Sequence, residues 1–109
     1  MTSRNRPRRP PLDPRITEVV RRLVLFLQPR RVILFGSRAR GDNMPKSDID
    51  LAVDAPAAPA RALFAFQDSI DATPPTLLGI DVVLLHEVGP EFRARIEREG
   101  RVLYDQRAA

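Results

Sequence analysis

The sequence predicts one domain of the α/β (α+β) class, and three observations carry that reading. Apolar residues recur at helical spacing near the start of the chain, again through Leu63, Phe66 and Ile70, and on a shorter face near its end. Short and nearly continuous apolar runs lie between these helices, as strands covered on both faces require. Breakers at Pro29, at Asp71 to Pro75 and at Gly100 separate the segments. The 109 residues are 43% hydrophobic and 29% charged, enough for one compact core and too apolar for a wholly disordered chain. Residues 1–11 read as a flexible basic N-terminal arm and residues 12–109 as the domain.

The first helix is expected from about residue 13 to 28, because Ile16, Val19, Val20, Leu23, Val24 and Leu27 fall on one face. Asp13 suits the N-cap, Pro14 the first helical position, and Pro29 cannot continue the helix. Arg31 to Phe35 then reads as a buried strand that runs straight into Gly36. A second strand is expected over about Ile49 to Val53, and the Ala-rich stretch after it becomes helical until Asp71. The third strand, Ile80 to His86, is nearly all apolar and is therefore expected at the centre of the sheet. A last helix from about Pro90 to Glu99 is expected to bury Phe92 and Ile96 and to stop at Gly100. Val102 to Tyr104 follows as a terminal strand or docking segment.

Composition removes several classes of function. With no cysteine and only His86, neither a disulfide framework nor a cysteine or histidine metal site can form, so any metal must sit on carboxylates. The arm holds Arg4, Arg6, Arg8 and Arg9, but Pro10, Pro11 and Asp13 follow where a secretory signal needs an apolar stretch. The apolar run Leu23 to Leu27 falls far short of the roughly 20 residues of a membrane span. A soluble cytoplasmic protein with no membrane partner is the expectation. Net charge is +4, and the four arginines of the arm account for it, leaving 14 bases against 14 acids. Such an arm can bind nucleic acid or an acidic partner, although short Arg and Pro-rich termini are commonly solvated tails.

The chemistry lies between Gly36 and Asp50, in GSRARGDNMPKSDID. A strand that ends in Gly36 and Ser37 turns backbone amides outward, and a glycine there lets a phosphate approach the backbone. Ser37 adds a hydroxyl, Gly41 allows a sharp turn, and Arg38 and Arg40 bring positive charge. Asp48 and Asp50 are two residues apart on a strand, so their carboxylates share one face while Ile49 and Leu51 point into the core. Two such acids repel unless a hard divalent ion lies between them, and magnesium is the natural ion. Asp81 interrupts an otherwise apolar strand, where burial without a purpose is costly. If that strand lies beside Asp48 and Asp50, Asp81 can join the metal site and help deprotonate a nucleophile. His86 and Tyr104 read as packing residues.

Gly36 and Ser37, ten residues, then Asp48, Ile49 and Asp50, with Asp81 on a later strand, resemble the DNA polymerase beta superfamily of nucleotidyltransferases, in its minimal (MNT) branch. The resemblance covers nearly the whole chain, from the first helix to EGRVLYD. It implies a small mixed sheet flanked by helices, with ATP and magnesium as the donor system, and the paired acids suit two such ions. It implies Gly36 and Ser37 as phosphate-holding residues and Asp48, Asp50 and Asp81 as metal-holding, catalytic carboxylates, and Arg40, by its positive charge near the turn, is expected to join the donor-binding residues. Larger members carry a helical domain that grips the acceptor, and none is expected here, so the acceptor is expected on another molecule. For the MNT branch the resemblance implies a HEPN-domain toxin as partner, with AMP transferred to one of its tyrosines and this chain as the antitoxin. The competing reading is a catalytically silent module that neutralises its partner by contact or binds nucleic acid through its arm. A second is adenylylation of a small hydroxylated compound.

Overall fold

A computed structural model describes residues 12–108, so the arm expected at residues 1–11 lies outside the described residues. Helix α1 spans Pro14–Leu27, strand β1 Arg31–Phe35, the short helix α2 Ser37–Arg40 and strand β2 Ile49–Asp54. Helix α3 follows at Ala60–Ala72, β3 at Ile80–Leu84, α4 at Pro90–Glu99 and β4 at Arg101–Asp105, with a 3-10 turn at Gln106–Ala108.

The ends of α1 match their chemistry. The Asp13 side chain accepts from the Arg15 amide at 2.9 Å, and Pro14 occupies the first helical position. At the other end Gln28 turns left-handed, with φ 48°, and its amide reaches the Val24 carbonyl at 3.0 Å. That turn releases the chain into buried Pro29 and then β1.

The four strands lie in the order β3-β2-β1-β4, with β1 antiparallel to both neighbours and β2 parallel to β3. The mixed sheet is buried unequally on its two faces. Ile16, Val19, Leu23 and Leu27 of α1 and Phe66 and Ile70 of α3 pack on Val32, Leu34, Ile49, Leu51 and Val53. On the other face Ile96 of α4 meets Ile33, Ala52 and Leu85 in a smaller cluster, with Phe35, Val83 and Val88 around it. This explains why RVILF has no polar alternation: its odd and even residues each meet a covered face.

Three expectations are corrected. β3 is an edge strand, not a central one, and it ends at Leu84, so His86 lies beyond it. Its apolar residues are explained by helices over both faces, a condition an edge strand can meet as well as a central one. Phe92 is 39% exposed, because the smaller cluster is filled by Ile96 and leaves the Phe92 ring at its rim. Asp81 is exposed, so the cost of burial does not explain its presence. The residues after Gly36 also form the helical turn α2, which propensity alone does not announce in four residues.

Candidate functional site

Everything singled out between Gly36 and Asp50, together with Asp81, meets at one end of the sheet. β1 arrives there at its C-terminal end, while β2 and β3 start there, because β1 runs against them. The register places Asp50 opposite Phe35 on one side and opposite Asp81 on the other. Ile49 and Leu51 are completely buried beneath α1 and α3, which leaves Asp50 on the α4 face with Phe35 and Asp81.

Partial burial, then the negative charges of Asp81 and Asp48, push the Asp50 carboxyl above the usual range, and it lies within hydrogen-bonding reach of Asp81. The positive charge of Arg40 acts in the opposite direction, as a smaller influence. Asp48, just ahead of β2, is exposed and lies against Gly79: a Cβ there would sit 2.5 Å from Oδ1 of Asp48. A Cβ on Gly36 would likewise collide with Oδ2 of Asp50. Both glycines therefore give a carboxylate the space it occupies.

The turn after β1 is built for close approach. Gly36 has φ 73°, in the region that favours glycine, and its carbonyl receives the amides of Ala39 and Arg40, each at 3.1 Å. The helical bonds of α2 thus begin at Ala39, and the amides of Ser37 and Arg38 precede them at the head of the turn. Gly41 closes α2 with φ 86°. Arg40 is bonded through Nε to Asp42 at 3.2 Å and lies 4.0 Å from Glu99, so its guanidinium sits beside the site and not on the carboxylates.

Two contributors escape sequence reading. Arg38, read only as nearby positive charge, donates to the carbonyls of Ser47 and Pro45, both at 3.1 Å. It ties α2 to the loop that delivers Asp48, and Ser47 Oγ steadies the same loop by accepting from the Met44 amide at 2.9 Å. Gly79 is the other, and its carbonyl also accepts from the Ile49 amide at 2.8 Å. A glycine one residue before an apolar strand was the available signal, but only the β2 and β3 register turns it into a seat for Asp48.

The donor set fits a hard divalent cation. It offers carboxylate oxygens alone, and their mutual repulsion, visible at Asp50, is what a cation relieves. Among the described residues no three acidic or imidazole groups converge on a single point as the side chains stand.

The polymerase beta nucleotidyltransferase family model matches residues 18–109. Among curated proteins, no sequence matches the chain. Similar solved structures include a toxin–antitoxin with AMP-PNP, 23% identical with TM-score 0.61, over 87% of this chain and 74% of the other. The toxin–antitoxin MntA-HepT superposes with TM-score 0.60 at 20% identity, over 86% and 73% of the two chains. A toxin–antitoxin mutant bearing two Asp-to-Glu substitutions gives TM-score 0.62 at 19% identity, over 84% and 74%.

Proposed function

Because the chain belongs to the polymerase beta nucleotidyltransferase family, we propose that it transfers AMP from ATP, with magnesium, to a tyrosine hydroxyl of a HEPN-domain toxin and so acts as that toxin's antitoxin. The observation that carries the reading is the register of β2 and β3, which sets Asp50 directly beside Asp81 one strand away from the Gly36 turn. The similar folds of MntA-HepT and of a toxin–antitoxin holding AMP-PNP support the partner and the nucleotide.

In this reading Gly36 and Ser37 hold the donor's phosphates by their backbone amides, with the Ser37 hydroxyl as a further donor. Asp48, Asp50 and Asp81 hold magnesium, which when bound neutralises charge along the phosphates. The acceptor oxygen attacks the α-phosphorus, the bond to the bridging oxygen of the β-phosphate breaks, and pyrophosphate leaves. Asp81 takes the acceptor's proton. Its exposure suits that role, since a hydroxyl from another molecule must reach it. Arg40 lends positive charge beside Asp50 without occupying the carboxylates.

The test joins the chain with its HEPN partner and magnesium ATP and follows the partner by intact mass spectrometry. An AMP-sized gain is expected, mapped by peptide analysis to a tyrosine. Replacing both Asp48→Asn and Asp50→Asn should leave circular dichroism unchanged and lower transfer by on the order of 10²–10³-fold or more, the scale of losing preorganised charge stabilisation. Magnesium should then no longer raise the Tm. A partner that stays unmodified yet is inhibited equally by the wild-type chain and by Asp81→Asn would replace the catalytic reading with inhibition by contact.

A further inference from the structure

Beside the Gly36 turn lies a cavity of about 180 Å³, formed between the end of β1, α2 and α4 and lined by Phe35, Gly36, Arg40, Phe92, Arg95 and Ile96, with Glu99 at its margin. Two of its lining residues, Gly36 and Arg40, adjoin the site already described. Phe35 is the cross-strand partner of Asp50, and directly opposed residues in an antiparallel pair present their side chains to the same face. Gly36 belongs to both places.

The walls have the chemistry of a seat for a flat ring. Phe92 stands edge-on to Phe35, with centroids 5.6 Å apart and planes at 81°, and it keeps 39% of its surface exposed. An aromatic face at the mouth of a cavity is an available stacking surface. Arg40 and Arg95 flank it, each only loosely paired with Glu99, at 4.0 and 3.9 Å. Those distances exceed a hydrogen bond, so the Arg95 guanidinium can shift over a ring, where a cation gains from the ring's negative face, while Arg40, bonded through Nε to Asp42, adds positive charge at the edge. Glu99 offers an acceptor for an exocyclic amine. The volume is below the roughly 300–1,000 Å³ of pockets that take a whole drug-sized ligand, so it suits one ring system with the rest of the ligand outside.

We infer that this cavity is the nucleobase subsite of the donor nucleotide, with the base against Phe92 and Phe35 and the phosphates continuing across Gly36 toward Asp50. This rests on the proposed nucleotidyl transfer and adds where the base is held. Phe92 and Arg95 act in binding, not in the chemical step.

Calorimetry with two probes tests it: magnesium ATP, and magnesium tripolyphosphate, which has the phosphates and no base. Wild type should bind both. Phe92→Ala should weaken magnesium ATP by about 10-fold, the scale of losing one base–aromatic stack, and leave tripolyphosphate within about twofold. Phe92→Leu keeps an apolar side chain beside Phe35 without the aromatic face and should lose ATP affinity in the same direction. Folded variants that bind ATP as wild type does would overturn the inference alone, and so would equal losses for both probes. A wild-type chain that binds neither probe would overturn the proposed function itself, and the subsite with it.

Discussion

A Cβ on Gly36 would run into the Asp50 carboxylate, and the φ of 73° there already strains any L side chain. Gly41 offers a control one helical turn away, since its φ of 86° carries the same strain while nothing lies within 4 Å of an added Cβ. Gly41→Ala should therefore cost about 1–2 kcal/mol of stability, the penalty of the left-handed conformation alone. Gly36→Ala should cost more and, by displacing Asp50, should also abolish nucleotide transfer. Urea midpoints and pyrophosphate release measure the two effects. Equal stability losses with transfer retained in both would mean that the contact between Gly36 and Asp50 has no functional part.

Between elements, the connection of α2 to the loop before β2 depends on one side chain. Arg38 donates to the Ser47 and Pro45 carbonyls, so Arg38→Ala frees the segment that carries Asp48 while leaving every proposed ligand in place. Loss of such outer support should weaken magnesium affinity or transfer by about 10–100-fold, read by metal titration and by turnover. Lysine at the same position, with one point charge in place of a two-armed donor, should restore only part of it.

The tie between β1 and α4 is ionic and sensitive to acid. Arg31 reaches both oxygens of Glu97 at 2.8 Å and Asp54 at 3.2 Å. The Arg31 hydrogen bonds hold the Glu97 carboxyl below its ordinary range. A depressed folded pKa means that the stability is fully present above the unfolded value, about 4.3, and is lost as pH falls through the lower folded value. Glu97→Gln should thus be less stable than wild type at pH 7, by no more than about 1 kcal/mol for so exposed a pair. The difference should shrink as pH drops below about 4. Asp13, Glu18 and Asp105 are also held low by arginines, but they are present in both proteins and cancel in the comparison. Urea melts at pH 7 and pH 3 decide it, and a difference that is constant with pH would rule the pair out.

At the scale of the molecule, α1 and α3 form one layer under the sheet, and Arg22 joins them from inside. It is only 8% exposed, bonds to Glu18 on its own helix, and donates to the Ser69 and Thr73 carbonyls at the end of α3, at 3.0 and 2.7 Å. Arg22→Met keeps the stem and strands those carbonyls, so a loss of about 2 kcal/mol and a Tm lower by roughly 8–16 °C are expected in thermal melts. An unchanged Tm would show that water replaces the guanidinium at no cost. What is periodic and local is legible along the chain alone: the apolar face of α1, its Asp13 and Pro14 start, the unbroken apolar run of β1, and the spacing of Asp48 and Asp50. These follow from which residues tolerate which backbone and from the repeat of helix or strand. Whatever depends on register and on the neighbour across a gap follows from how the strands pair and the helices pack. β3 went to the sheet edge although its composition suited a centre, because helices on both faces make the same demand in either place. Asp81 was found for the wrong reason, burial, and owes its position to pairing with Asp50. The Arg38 tie, the Gly79 seat and the Phe92 cavity join residues with no local pattern to link them. Only the closing of the sheet brings them together, because strand pairing sets distances that spacing along the chain does not.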